Sequence, residues 1–156
     1  MNILIRAMTP EDIPDLARIE SKTFGMPWSE KAFEDLFGRD YNLCLTAEWG
    51  GRPVGCAVMT LLGEEGDIDK VMVEEEHRRK GIAKALLEAL LGNAEERGAR
   101  SFTLEVRKSN LPAIRLYEKA GFVSEGVRPR FYEKPVEDAL IMWRRPTITR
   151  PTGESL

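Results

Sequence analysis

Residues 67–91 read DIDKVMVEEEHRRKGIAKALLEALL, and this stretch decides the fold. It joins a short apolar run, a basic turn that contains Gly81, and a strongly patterned helix. Ile82, Leu86 and Leu90 recur every four residues, which is typical of an amphipathic helix. A strand that leads through a glycine turn into a helix leaves backbone N–H groups unpaired at the helix start. The stretch therefore predicts a phosphate-binding turn.

The turn carries four positive charges, with Arg78, Arg79 and Lys80 before Gly81 and Lys84 after it. Most charge runs are solvated surface, and that reading stays open here. Gly81 favours a ligand site, because a side chain would block the approach to the first helical turn. A nucleotide P-loop would carry a second glycine and a hydroxyl residue after the lysine. A nucleoside triphosphate is therefore the weaker interpretation.

The composition fits one domain of a soluble protein. The chain has 156 residues, of which 42% are hydrophobic and 31% charged. Its formal charge of −3 argues against nucleic acid as a bulk electrostatic partner. No apolar run approaches the length of a membrane span, and no secretion signal is visible. We expect a cytoplasmic protein with neither a nucleic-acid nor a membrane partner.

The cysteines and the histidine do not form a metal-binding pattern. Cys44 and Cys56 lie within predicted strands, and we expect both to be reduced and buried. His77 is the single histidine of the chain, and we expect it to border the phosphate turn. A metal site would need more ligands at closer spacing, so no metal is expected.

Periodicity and turn residues predict the element order βααβββαβαββ. The predicted fold class is α/β in the mixed, α+β sense: a mostly antiparallel sheet with helices on both faces. Residues 1–145 are expected to form a single domain, and residues 146–156 a disordered C-terminal tail. The predicted strands cover 2–7, 41–49, 53–62, 67–74, 101–107, 123–127 and 139–144; the predicted helices begin near Thr9, Ser29, Gly81 and Asn110.

The spacing of Arg78, Gly81 and Ala83 resembles the (Q/R)xxGx(G/A) signature of the GNAT acetyltransferases. The element order also matches that fold from near residue 2 to about residue 145. Within this superfamily the chain is most similar to the RimI type, which acetylates the N-terminal alanine of a ribosomal small-subunit protein. The further matching segments are 27–31 (PWSEK), 104–107 (LEVR), Asn110, 113–114, 116–118, 121–122, 130–132 (RFY) and 137–139 (EDA).

The resemblance implies roles for individual residues. It makes Glu105 the general base and Tyr117 the general acid. From the residues alone, the favoured interpretation of Glu105 is the polar, solvated face of a strand, and that of Tyr117 is a helix aromatic packed on the sheet. The implied acetyl-CoA site comprises the backbone at Val71, Met72 and Val73, the turn Arg78, Arg79, Lys80, Gly81, Ile82, Ala83 and Lys84, and the side chains of Asn110 and Tyr117. Asn110 also fits a plain helix cap.

The proposed acceptor is a peptide α-amine. Its reference pKa of about 8 lies below the 10.4 of lysine, so its neutral form is more abundant at pH 7. An ordinary carboxylate is a far weaker base than an amine, so we expect Glu105 to act through water or from a partly buried position. The expected partners are therefore acetyl-CoA and the N-terminus of a protein, ribosomal by the resemblance.

The acceptor wall is predicted from Trp28, Phe131, Tyr132 and Asp138. Trp28 fits a core residue slightly better than a substrate contact, and segment 130–138 fits a solvated hairpin loop equally well. Phe131 stands where the family often has tyrosine. Two other functions stay open: acetylation of a small amine or a lysine side chain, and a non-catalytic module that binds acetyl-CoA.

Overall fold

The computed structural model describes residues 2–23 and 27–146, and it has the predicted mixed α/β architecture. Apart from two one-turn 3₁₀ segments at Pro10–Asp12 and Glu75–His77, the order of elements is βααβββαβαββ. The elements are β1 (Ile3–Ala7), α1 (Ile13–Thr23), α2 (Glu30–Glu34), β2 (Asn42–Trp49), β3 (Arg52–Leu62), β4 (Glu65–Val73), α3 (Ile82–Glu96), β5 (Ser101–Arg107), α4 (Leu111–Lys119), β6 (Val123–Tyr132) and β7 (Glu137–Arg144).

All seven strands form one sheet in the order β1-β2-β3-β4-β5-β7-β6. Every neighbouring pair is antiparallel except β4 and β5, which are parallel. The parallel pairing ends early, at Ile68 and Leu104. Beyond that point β4 stays paired with β3 as far as Val73, and β5 stays paired with β7 as far as Arg107. A gap therefore opens in the middle of the sheet.

Helices cover both faces of the sheet, because each helix and strand has one apolar side. On one face α3 and α4 enclose the larger core with β5, which contributes Phe102, Leu104 and Val106. On the other face α1 and α2 enclose a smaller core that includes Leu16, Ile19, Phe33 and Met72. In the described part of the chain no helix is long and apolar enough to cross a membrane.

Two element ends differ from the sequence prediction by more than two residues. The apolar spacing of Phe33, Leu36 and Phe37 predicts that the helix from Ser29 extends to Phe37. Helix α2 ends at Glu34, because a turn toward Gly38 follows it. Strand β6 continues to Tyr132 rather than ending at residue 127, with an irregular register after Arg128 and a positive φ of 53° at Arg130. Beyond residue 146, the predicted disordered tail lies outside the described residues.

Asp12 anchors the start of α1 to the edge of the sheet. Its buried carboxylate accepts hydrogen bonds from Arg6 at 2.7 and 2.8 Å, from the Thr9 N–H at 2.9 Å and from the Thr46 hydroxyl at 2.9 Å. Burial alone would raise the pKa of Asp12, but these hydrogen bonds outweigh it and lower the pKa. The ionised form is therefore favoured more in the folded state than in the unfolded state.

The replacement Asp12→Asn should lower the free energy of unfolding at pH 7 by about 3 kcal/mol, since it leaves Arg6 without its main partner. Because folding lowers this pKa, the stabilisation is present above the unfolded value and disappears as the pH falls below about 4. Urea unfolding at pH 7 and pH 3 measures both effects. Asp15→Asn, a half-exposed position on the same helix, is the control and should change stability by less than about 0.5 kcal/mol. An equal loss at both pH values would contradict the assignment.

Candidate active site

The basic turn leads into the N-terminus of α3, whose first backbone N–H groups are not capped by a side chain of the described residues. Gly81 caps α3 in the left-handed region, with φ of 78°, and Arg79 has φ of 64°. The first helical hydrogen bond runs from the Ala85 N–H to the Gly81 carbonyl at 3.0 Å, and no side chain caps this end. The N–H groups of residues 82–84 therefore have no partner within the helix. This arrangement suits an anion.

The cations of the turn are exposed around this helix start. Arg78 donates from Nε to the Val73 carbonyl at 3.2 Å, which fixes the turn against the end of β4. Lys80 lies 4.6 Å from the ring centre of Trp49, and Lys84 lies 3.8 Å from Glu88 on the helix surface. Weak surface contacts of this kind leave the charges able to reorient toward a ligand.

Glu74 ties the turn to the rest of the fold, a role that the sequence did not reveal. Its buried carboxylate lies 3.2 Å from Arg18 of α1, 2.9 Å from Arg52 of β3 and 3.0 Å from Nδ1 of His77. Burial alone would raise the pKa of Glu74, but the two arginines lower it. His77 packs edge-on against Trp49 at 5.8 Å, so it supports the turn from beneath.

Glu74, Glu76 and His77 bring three donor atoms within 4.8 Å of one another, which is the composition of a metal site. Two arginines already contact the Glu74 carboxylate, at 2.9 and 3.2 Å. Arginine side chains therefore supply the positive charge that a metal ion would otherwise bring to Glu74. The cluster is better explained as an ion-pair network that holds the turn against α1 and β3.

The open edge of β4 begins where its pairing with β5 ends. Residues Val71, Met72 and Val73 pair with β3 through Ala57, Cys56 and Gly55, and within the described residues no strand pairs with their other edge. Apart from the Val73 carbonyl, which accepts from Arg78, main-chain groups on that edge can hydrogen-bond a ligand. The gap in the sheet thus lies beside the backbone that the resemblance includes in the acetyl-CoA site.

Glu105 stands on β5 one residue beyond the last pair with β4. Its neighbours Leu104 and Val106 point into the α3 and α4 core, so Glu105 points to the face that α1 and α2 cover. The side chain is 25% exposed, and Oε2 lies 3.1 Å from Nε of Arg128, at an angle that does not make a hydrogen bond. Arg128 is 59% exposed, so this contact can open toward solvent.

Two aspartates of β4 share the surroundings of Glu105. Burial raises the pKa of Asp67 to about 6, with further contributions from the charges of Asp69 and Glu105. Asp69 accepts a hydrogen bond from the Thr60 hydroxyl at 2.6 Å. The sequence analysis missed both residues. The parallel register of Asp67 with Thr103 places Asp67 on the face of Glu105. A register irregularity of β4 at Asp69 puts both Asp69 and Lys70 on that face, where Asp69 contacts Thr60 and Lys70 contacts Glu20. The gap is therefore acidic on this face.

Tyr117 lies in α4 and is 7% exposed, with its ring packed edge-on against Phe122 at 5.8 Å. Its hydroxyl makes no hydrogen bond within the described parts of the chain. Burial raises the pKa of Tyr117, and Tyr132 adds to the shift. The phenol is therefore protonated over the whole physiological range and has a proton to donate. Asn110 caps α4, accepting from the Ala113 N–H at 3.3 Å, which leaves its Nδ2 group as a donor.

The predicted wall residues occupy two separate elements. Trp28, half-buried, packs against Phe33 at 5.3 Å in the α1–α2 connection. Tyr132 lies over the guanidinium of Arg107 at 4.5 Å, and burial followed by the charge of Glu105 raises its pKa to about 12. The charge of Glu105 contributes to the raised pKa of Tyr132, and Tyr132 contributes to the raised pKa of Tyr117.

Phe131 and Asp138 differ in what their side chains contact. Phe131 is 45% exposed beside Tyr132, so it is accessible to a ligand. Asp138 accepts the Arg130 N–H at 2.9 Å and thereby holds the irregular part of β6. This segment is a strand pair joined by a tight turn rather than a solvated loop. A direct contact of Asp138 with the acceptor stays a prediction.

Comparisons with known proteins agree with this architecture. The acetyltransferase (GNAT) family model matches residues 13–122. The [ribosomal protein bS18]-alanine N-acetyltransferase of Escherichia coli K12 is 36% identical over 141 residues, covering 88% of this chain and 94% of that protein.

Two crystal structures are also similar to the present one. The ribosomal-protein-S18-alanine N-acetyltransferase from Escherichia coli superposes with a TM-score of 0.87 and 30% identity, over 99% of this chain and 100% of that one. Ard1 from Thermoplasma volcanium gives a TM-score of 0.85 and 30% identity, over 95% and 100% of the two chains.

The chain belongs to the GNAT family of acetyltransferases. Among curated proteins its similarity includes the bS18-alanine N-acetyltransferases, across most of both chains. The predicted family, RimI-type resemblance, fold class and enzyme class are thereby confirmed.

Proposed function

We propose that this protein transfers the acetyl group of acetyl-CoA to the free α-amino group of a protein N-terminus, in the cytoplasm. The acceptor that its relatives' names suggest is the N-terminal alanine of ribosomal protein bS18. The observation that carries the proposal is the gap in the sheet beyond Ile68 and Leu104. An anion-binding helix start lies after one of its strands and a carboxylate, Glu105, on the other.

The cofactor would lie along the open edge of β4. The backbone at Val71 to Val73 would hydrogen-bond the amide groups of the pantetheine arm and the thioester oxygen. That oxygen gains negative charge during transfer. The N–H groups of Ile82, Ala83 and Lys84 would bind the pyrophosphate, with Arg78, Arg79 and Lys80 around it. The Asn110 amide would donate to the pantetheine.

The acceptor would approach from the face of α1 and α2, between Trp28 and the aromatic pair Phe131 and Tyr132. Its nitrogen attacks the thioester carbon, the new C–N bond forms and the C–S bond breaks. Glu105 takes the amine proton through water, and Tyr117 donates its hydroxyl proton to the departing sulfur. The acidic side chains beside Glu105 would attract an ammonium group into the gap.

The decisive assay measures release of free CoA from acetyl-CoA with two versions of one peptide. The peptide begins with alanine and contains an internal lysine; its N-terminus is free in one version and blocked in the other. Release with the free version alone is expected. Equal release from both versions would place the activity on lysine. Binding of acetyl-CoA without release would indicate a different acceptor or a non-catalytic binding module.

The phosphate turn is tested by Gly81→Ala. The left-handed backbone should cost about 1 kcal/mol of stability, and no atom lies within 4 Å of the added methyl group in the ligand-free protein. A bound pyrophosphate would meet that methyl group, so the affinity for acetyl-CoA should fall about tenfold, or about 1.4 kcal/mol.

The matched control is Gly98→Ala at the other end of α3, where φ is 96° and the space is equally open. It should cost similar stability and leave the affinity unchanged. Calorimetric titration with acetyl-CoA and thermal unfolding measure the two quantities. Equal affinity losses in both variants would show that Gly81 acts through stability alone.

A further inference from the structure

A buried ion pair lies beneath the face of the sheet where the acceptor would bind. Lys70 of β4 places Nζ 2.7 and 2.9 Å from the two carboxylate oxygens of Glu20 in α1. The side chains are 7% and 1% exposed. Lys70 lies two residues beyond Ile68, where β4 separates from β5. The pair therefore joins α1 to β4 at the start of the gap.

The same pair contacts the ring of Trp28. The Nζ of Lys70 lies 4.2 Å from the centre of the indole ring, a cation–π contact in a desolvated setting. The Trp28 backbone N–H lies close enough to Glu20 to lower its pKa. The indole ring is thus in contact with Lys70 on its face, while Phe33 packs against its edge.

Stability alone does not account for an ion pair at this place. The surroundings are apolar, with Met72 and Cys56 in the adjoining core. Burial raises the pKa of Glu20, and the charge of Lys70 opposes that rise. Removing two charges from water is expensive, and apolar residues of similar volume often give equal or greater stability. An apolar side chain in place of Lys70 could not make the cation–π contact with the indole ring of Trp28.

Trp28 lies on the face that Glu105 occupies. Lys70 and Met72 point to the α1 and α2 side, and Glu105 points to that side from β5. We infer that Glu20 and Lys70 are positioning residues that fix Trp28 at the acceptor end of the site and so set the affinity for the peptide. The inference rests on the proposed function, in which Trp28 forms one side of the acceptor wall.

The test replaces the pair with apolar residues of similar size, Glu20→Leu with Lys70→Met. This variant should unfold at a temperature close to that of the wild type, because the core stays filled. The KM for the free-terminus peptide should rise about tenfold. The KM for acetyl-CoA and kcat at saturating peptide should stay within about twofold. Lys70→Arg, which keeps the charge over the ring, should retain the wild-type peptide KM.

A second readout does not depend on activity. In a background with Trp49→Phe and Trp143→Phe, Trp28 is the sole tryptophan, and the apolar variant should roughly double its quenching by iodide. The control is the part-buried Arg6–Asp12 pair, which lies away from Trp28. Its replacement by Arg6→Met with Asp12→Asn should alter neither quenching nor peptide KM. If the first double variant does not fold, Glu20→Gln with Lys70→Met is measured with the same expectations.

The outcomes separate the two proposals. Wild-type protein that does not acetylate the peptide would overturn the proposed function, and the quenching measurement would still test the anchoring of Trp28. An active wild type together with unchanged peptide KM and unchanged quenching in the apolar variant would overturn this inference alone. A parallel rise in the KM values for acetyl-CoA and peptide would also overturn this inference, because such a rise would indicate a general loss of packing throughout the site.

Discussion

Replacing Glu105 with glutamine should lower kcat for acetylation of a free peptide N-terminus by about 10²–10³-fold, the usual value of a positioned base. Glutamine has the same size but cannot take a proton from the amine or from an intervening water. The side chain lies beyond the last β4–β5 pair and away from the phosphate turn. The Kd for acetyl-CoA should therefore stay within about twofold, as measured by calorimetric titration beside steady-state CoA release.

The control for this change is Glu65→Gln, an exposed glutamate of β4 at the closed end of the same strand pair. It removes one negative charge from the same sheet without reaching the gap, and kcat should be unchanged. If Glu105→Gln retained kcat within about threefold, Glu105 would not be the base. The neighbouring carboxylate of Asp67, whose pKa is raised to about 6, would then be the next residue to replace.

The second large effect is expected from Tyr117→Phe, with kcat lowered about 10- to 100-fold. Phenylalanine keeps the packing against Phe122, so the unfolding temperature should change little. The raised pKa of Tyr117 means that its hydroxyl stays protonated well above pH 9. The wild-type rate should therefore show no decline from phenol ionisation between about pH 7 and 9, and a pH profile of kcat measures this.

Tyr41→Phe removes a hydroxyl from a tyrosine that is 44% exposed, and it should leave kcat and both KM values unchanged. If Tyr117→Phe raised only the KM for acetyl-CoA, Tyr117 would bind the cofactor rather than protonate the sulfur. A fall in kcat with an unchanged Kd for acetyl-CoA would support the acid role.

Local patterns were sufficient for the phosphate turn. Gly81, the apolar repeat after it and the run of cations are all contained in 25 consecutive residues, so strand, turn and helix could be predicted together. The positive φ of Arg79 could not be predicted, because arginine has no preference for that conformation. The position of His77 against Trp49 depends on a strand 28 residues earlier and was likewise beyond local reasoning.

The proposed catalytic face depends on contacts between distant segments. Glu105 could be assigned to a polar strand face from alternation. The gap beside Glu105 exists because β5 stays paired with β7 on one edge while β4 separates from its other edge. The Glu20–Lys70 pair joins residues 50 positions apart. A glutamate inside a helix and a lysine inside a strand each look like ordinary solvated positions, so neither predicts burial.

The extent of β6 was underestimated for a physical reason. Pro129 cannot donate to a ladder, and Arg128 and Arg130 are exposed charges, so this part of the sequence lacks the pattern of a strand. It is nevertheless an edge strand, and its irregular register is stabilised when Asp138 accepts the Arg130 N–H. One acidic side chain thus compensates for a sequence of low strand propensity.

The sheet is two half-sheets joined by four residue pairs, from Glu65–Ser101 to Ile68–Leu104. Amide hydrogens of β4 beyond Ile68 that face the gap lack a strand partner and should exchange with solvent faster than those bonded to β3. A cofactor that hydrogen-bonds this edge would act as the missing strand and slow their exchange. It would also add free energy of unfolding by mass action, about 2.7 kcal/mol at a hundred times its Kd. The gap in the middle of the sheet would thus make the rigidity of the enzyme depend on its acetyl donor.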